Sequence, residues 1–307
     1  MEEYFNNKSI FSLMKKWRIH IISIAIIAAI VSGAASYLIT PLYKSTAVLY
    51  PVNLGTFSDE NETEQMLQYL QSNDIKFQLI EKLNLDKHYN ISKKDTLYKT
   101  YMFAKLNERI SFSKTEYESV KISVLDQTPA TAVTIVNEII ALYNKEVQIL
   151  HRNKYKELLD IKYGEMQAKN TEIDSLKKRI EFLRTEYGIL DYNNQVKELS
   201  RIYYKSGSKS AKEILDNIKK YGGEYKTLDK KIIKEQKVLA LIKREFEIAS
   251  TEYNKEITFA HIVEKPFAAD KKTKPVRWLI ILLSVIGSVI LSMIVVSIIE
   301  SKKTLSK

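Results

Sequence analysis

The sequence predicts an α+β protein: two transmembrane helices flanking a discontinuous α/β base domain that carries a long antiparallel, coiled-coil-like helical hairpin. Three observations predict it. Two almost purely apolar stretches lie near the ends. The stretch from Pro129 to Pro266 has no internal proline and reads in heptads. Short β-branched segments stand on both sides of that stretch.

The first apolar stretch, 19–39, contains His20 but no formal charge, and the second, 278–299, is also uncharged. At ~1.5 Å per helical residue each crosses ~30 Å of hydrocarbon. Ser32-Gly33-Ala34-Ala35 imitates a signal-peptide cleavage site. The apolar run is nevertheless longer than the usual core of ~7–15 residues, and a charged leader precedes it. Lys8, Lys15, Lys16 and Arg18 come before the first span, and Lys44 is the nearest cation after it, which predicts a cytoplasmic N-terminus. Around the second span the local balance leans the other way: Lys271, Lys272, Lys274 and Arg277 precede it, against Lys302, Lys303 and Lys307 after it. The first span ordinarily sets orientation, so two spans return the C-terminus to the cytoplasm. The expected tails are 1–18 and 300–307, with the bulk of the chain on the outer side. Ala25, Ala29 and Gly33 in the first span, and Ser284, Gly287 and Ser288 in the second, form small-residue rows suited to helix–helix packing in a membrane.

Residues 40–150 read as the first part of the base. A strand is predicted over 43–50 (YKSTAVLY), and helices over 64–70 and 75–83. Ile110 and Phe112 alternate, as do Val120, Ile122 and Val124, which predicts an antiparallel β-hairpin. Thr128-Pro129 then starts a helix, with Thr as N-cap and Pro at the first helical position.

Residues 151–256 read as the helical hairpin. Ile173, Leu176, Ile180, Leu183, Tyr187 and Leu190 step by three and four; so do Tyr225, Leu228, Ile232, Glu235, Leu239, Ile242, Phe246, Ala249 and Tyr253. A narrow seam with charged flanks is the pattern of coiled-coil packing. Two arms of about 50 residues each, turning near 206–208 at Gly207, would reach roughly 75 Å. Gly188, Asn193-Asn194 and Gly222-Gly223 are candidate breaks. Residues 257–277 carry the return strand of the base and a juxtamembrane segment with Pro266, Pro275 and Arg277. Its prolines fix φ at about −65° and withhold two N–H donors, as an extended connector needs.

The remaining chemistry is sparse. Lys and Arg number 48 and Asp and Glu 37, for a net charge of +11, with no Cys. Disulfides, Cys-ligated metals and thiol nucleophiles are therefore absent. Neither Gly-rich nucleotide-binding fingerprint occurs. The four histidines, His20, His88, His151 and His261, have no metal-ligand spacing. The sequence thus nominates no catalytic, cofactor-binding or metal site. The positive charge is spread through Lys/Glu-rich helices, a solvated pattern rather than a nucleic-acid-binding one.

Three patches, in order and within this two-span layout, resemble the polysaccharide co-polymerases, the chain-length determinant (Wzz-type) proteins of bacterial surface polysaccharides. They are PLYKSTAVLYP (41–51) after the first span, DQTPATA (126–132) with Asn137 and Tyr143, and the Pro266 to Pro275 segment before the second span. Ala268 and Ala269 stand where members of that family often carry further prolines. The resemblance implies a non-enzymatic homo-oligomer, a bell-shaped ring on the outer face of the inner membrane. It implies regulation of the chain length of O-antigen, capsule or exopolysaccharide, with partners in a membrane polysaccharide polymerase, the lipid-linked glycan and the bilayer. The short tails place the chain with the stand-alone members, without a kinase domain. The alternative class is a membrane-fusion-type secretion adaptor with a helical hairpin. The second span and the lack of lipoyl-like β segments count against it.

Overall fold

The computed structural model describes residues 7–55 and 59–305. Of the cations counted for orientation, Lys307 lies outside this set, as do the side chains of Lys8, Lys302 and Lys303. The described chain divides after Lys145 and before Thr258 into two units.

The first unit joins the two apolar helices to the base. Helix α1 (Asn7–Leu38) precedes strand β1 (Tyr43–Pro51). Helices α2 (Glu62–Gln71), α3 (Asn73–Leu83), α4 (Leu85–His88) and α5 (Tyr98–Arg109) follow. Asn61 and Ser72 cap α2 and α3 through their side-chain oxygens, and Asn84 ends α3 in the left-handed conformation that Asn tolerates. Strands β2 (Ile110–Lys114) and β3 (Val120–Asp126) form the predicted hairpin, with Phe112 opposite Ile122. Thr128 Oγ1 accepts the Thr131 N–H at the start of the long helix α6 (Pro129–Tyr187), whose turns up to Lys145 belong to this unit.

The sheet order is β2-β3-β1-β4, antiparallel throughout. Strand β4 (Ala260–Glu264) arrives from the far side of the helical insertion and pairs with β1. It starts at Ala260, later than the predicted position 257. Alternate residues Ala47 and Leu49 of β1, and Ile122 and Val124 of β3, are fully buried. The same core holds Met66, Leu70, Met102, Leu106, Ile135, Val136 and Ile139. Each such side chain contributes about 1.5–3 kcal/mol through removal from water.

The apolar helices are α1 and α9 (Arg277–Leu305), with membrane-crossing windows Leu13–Leu38 and Arg277–Glu300. They pack antiparallel. Lys16 pairs with Glu300 at one end, and at the other the Arg277 guanidinium lies 3.7 Å from the Tyr37 ring centroid. Ser32, Ser36, Ser288 and Ser292 each donate to a carbonyl one turn back, so their hydroxyls are satisfied within their own helices.

The second unit is helical: the rest of α6, then α7 (Tyr192–Ser206) and α8 (Lys209–Asn254). The ascending arm breaks once. Gly188 adopts φ +65°, its N–H bonds to the Arg184 carbonyl, and the Ile189 N–H bonds to the Leu183 carbonyl, a Schellman ending. Asp191 then caps α7 by accepting from Asn193 and Asn194. Gly207, φ +64°, makes the turn, and Ser208 caps α8. Gly222-Gly223 do not interrupt α8. The break also changes the heptad phase. Leu190, predicted in the seam, is 63% exposed, whereas its neighbour Ile189 is fully buried.

Candidate functional site

The predicted hairpin positions lie as follows. Ile173, Ile180 and Leu183 are buried, and Leu176, Leu239, Ile242 and Phe246 are half-buried. Ile180, Leu183, Ile189, Ile218 and Tyr225 form one core cluster. Phe246 meets Tyr163 at 6.5 Å between ring centroids. Charged pairs flank the seam across the two arms: Lys162–Glu245 at 2.8 Å, Lys169–Glu235 at 2.8 Å and Arg179–Glu224 at 2.7 Å. The Arg179 hydrogen bond holds the Glu224 carboxyl below its ordinary range. A stacked pair, Tyr187 and Tyr221 at 4.1 Å, lies beside Arg179 over Phe182.

The small residues of the apolar helices do not all occupy one face. Ala25, Ala29 and Gly33 are half-buried on the side of α1 that buries Ile21 and Ser36. A Cβ at Gly33 would stand 3.7 Å from Ile281 of α9, an ordinary contact. Ser284 and Ser288 are half-buried near buried Ser292 and Val296. A Cβ at Gly287 would meet nothing within 4 Å.

The connector holding Pro266 and Pro275 runs back along β1. Ser45 Oγ donates to the Phe267 carbonyl at 3.0 Å, Leu42 N–H to the Lys274 carbonyl at 2.9 Å, and Thr273 N–H to the Leu42 carbonyl at 2.7 Å. The Lys274–Pro275 peptide is cis. Arg277 follows two residues later, above Tyr37. Partial burial, with Arg277 nearby, holds the Lys272 ammonium below its ordinary range.

Sequence reasoning missed a polar cluster at the same end of the sheet. Asp126, fully buried, contacts His88 Nε2 at 2.9 and 3.0 Å, and accepts from the Tyr89 hydroxyl at 3.1 Å and the Thr128 N–H at 3.3 Å. Burial, then Asp126, pushes the Tyr89 phenol up, so it stays a neutral donor. Nothing local in the sequence links residues 88 and 126; only the sheet brings them together. An open cleft of about 320 Å³ lies beside β2, lined mostly by Leu70, Ile75, Leu79, Leu106, Phe112 and Ile139. Among the described residues no group of three His, Asp or Glu side chains is placed to hold a metal.

These features define a class: a base sheet closed by strands from either side of a long helical insertion, with an antiparallel pair of membrane-length helices leaving the base. No protein-family model and no curated protein matches the chain. Among solved structures, a full-length bacterial polysaccharide co-polymerase aligns over 97% of this chain and 99% of its own, at 11% identity and a TM-score of 0.52. A fragment of WzzB, the polysaccharide co-polymerase from Salmonella Typhimurium, aligns over 76% of this chain and all (100%) of its own, at 12% identity and TM-score 0.36. The wild-type lipopolysaccharide O-antigen chain-length regulator of Shigella flexneri aligns over 75% and 99%, at 9% identity and TM-score 0.36. The chain therefore shares the fold of the full-length co-polymerase.

Proposed function

We propose that this chain is a polysaccharide co-polymerase: a non-enzymatic bacterial inner-membrane protein that regulates the chain length of a surface polysaccharide. The observation that carries the reading is the end-to-end likeness to the full-length co-polymerase, which includes both apolar helices and the hairpin. In this reading α1 and α9 span the membrane, both termini are cytoplasmic, and base and hairpin face the periplasm. The chain acts as a homo-oligomer beside a membrane polymerase, and copies meet through the base and hairpin. Ala25, Ala29, Gly33, Ser284, Gly287 and Ser288 provide helix-packing surface in the membrane, and Gly287, with open space around it, is the position best suited to a separate membrane partner. Pro266, Pro275 and Arg277 set the angle between base and span.

The test is genetic. Deletion of the gene should change the length distribution of one surface glycan, and the wild-type chain should restore it. Gly287→Phe should shift the distribution while protein abundance stays unchanged, and His261→Ala should leave it alone. An unaltered glycan ladder in the deletion strain would sink the reading.

A further inference from the structure

Helix α8 carries a second stripe besides its seam. Lys226, Lys230, Lys237 and Arg244, with Ile233, Leu241 and Ile248 between them, recur every three or four residues and so share one side of the helix. All of these side chains are exposed, and no acid interrupts the series. Glu235, Leu239, Ile242 and Ala249 are buried or half-buried on the opposite side, so the stripe is turned away from α6. At ~1.5 Å per residue it is roughly 33 Å long, and Lys230, Lys237 and Arg244 follow one another at about 10.5 Å.

Ion pairing within the chain does not account for these cations. The described ion pairs of this stretch run inward to α6: Lys231 to Glu172, Glu235 to Lys169 and Glu245 to Lys162. The cations of the stripe enter none of them, and Lys226 instead lies 5.5 Å from the Tyr192 ring centroid. Lys234 adds a cation at one margin, while Asp229 and Glu247 stand at the other.

The pattern narrows the partner. Packing another helix over the stripe would strip water from its charged heads, which is unfavourable without acids to meet them. The exposed side of α6, as a second copy would present it, is a poor complement: Gly164, Ala168 and Ser175 run along it, with acids at Glu157 and Asp160. A flexible polyanion meets regularly spaced cations one after another and leaves them partly hydrated. The aliphatic side chains between the cations suit the C–H faces of sugar rings.

We propose that the outward stripe of α8, centred on Lys230, Lys237 and Arg244, binds an acidic polysaccharide along the hairpin. This rests on the reading of the chain as a regulator of surface-glycan length, and names an acidic glycan as the polymer it regulates.

The test titrates the full-length chain in detergent into fluorescein-labelled polygalacturonate, read by anisotropy, with neutral dextran as the control. Wild type should bind polygalacturonate and not dextran; absence of polygalacturonate binding overturns the proposal. The combined variant Lys230→Gln, Lys237→Gln and Arg244→Gln should bind about tenfold more weakly, as expected for three exposed charge contacts. Lys156→Gln, Lys177→Gln and Lys197→Gln together remove the same charge from exposed sites elsewhere in the helical unit and should leave affinity unchanged. Equal weakening in both variants would make net charge the cause and overturn the stripe. If the stripe variant loses its wild-type circular dichroism, Lys237→Glu decides, and unchanged affinity there overturns the proposal. Charge-matched polyglutamate binding more tightly than polygalacturonate would overturn the glycan assignment in favour of an acidic protein. A changed oligomer size with unchanged affinity in the stripe variant would give the face to a second copy and overturn it as well. These outcomes are distinct from an unaltered glycan ladder in the deletion strain, which sinks the length-regulation reading itself.

Discussion

Asn144 Oδ1 accepts the backbone N–H of Phe259 at 2.8 Å and of Ala260 at 3.2 Å. One side chain on α6 thereby caps the start of β4, across the whole helical insertion. Tyr143 beside it donates to the Phe259 carbonyl at 3.5 Å, and Asn53 donates to the Thr258 carbonyl at 3.0 Å. The return strand is held by these polar contacts as well as by its pairing with β1.

Asn144→Ala leaves two N–H groups without their acceptor and should cost about 1–3 kcal/mol, each unsatisfied donor bearing its own desolvation. Asn144→Asp keeps the acceptor and should retain most of that stability. Chemical denaturation of the two variants separates them, and equal midpoints would refute the capping role.

In the hairpin, Ile180→Asp places a charge in the core cluster with Leu183 and Tyr225 and should unfold that region first. Leu183→Ala should cost about 2–5 kcal/mol. Leu190→Asp, at an exposed site, should change stability by less than about 0.5 kcal/mol. The contrast between Leu183 and Leu190 tests the shift of phase at Gly188, since an unbroken heptad would bury both.

Gly222 and Gly223 should respond in opposite senses. A Cβ at Gly222 would fall 2.4 Å from Tyr192 Cε2 and 3.2 Å from Ile218 Cγ2, whereas one at Gly223 meets nothing within 4 Å. Gly222→Val should cost about 1–3 kcal/mol by driving α7 from α8. Gly223→Ala should stabilise α8 by about 0.5–1 kcal/mol through its lower unfolded-state entropy. Thermal melts of the two variants check the signs.

Burial is the main cause that holds the His151 imidazole below its ordinary value of 6.5, and it outweighs the Glu252 carboxylate at 3.6 Å. The folded form therefore resists protonation. As pH falls through the ordinary value, the unfolded chain takes up the proton first, so stability is full above that value and declines below it. Urea midpoints at about pH 7.5 and about pH 5.5 should differ less in His151→Gln than in wild type. An unchanged difference would remove His151 as the source.

Because the chain has no cysteine, topology can be read with single ones. Ser206→Cys at the hairpin turn should label with an impermeant thiol reagent from the periplasmic side, and Lys15→Cys should not. The reverse pattern would invert the proposed orientation.

What local physics controls is legible along the chain. Hydropathy marks membrane-length helices because transfer of each residue from water is nearly independent of its neighbours. Heptad spacing marks the arms because helix faces repeat every few residues, and Thr128-Pro129 marks a helix start because capping acts within one turn. Features that depend on residues far apart in the chain came from the fold. The phase slip that buries Ile189 and exposes Leu190 follows from one left-handed Gly188, a conformation glycine permits but does not require. The sequence places a return strand after the insertion, but its pairing with β1 and its start at Ala260 under Asn144, Tyr143 and Asn53 come from residues far apart in the chain. The same holds for His88 on Asp126, which meet only once the sheet order β2-β3-β1-β4 has formed. Burial and charge pairing are sums over neighbours in space, and those neighbours are assigned only when the chain closes on itself.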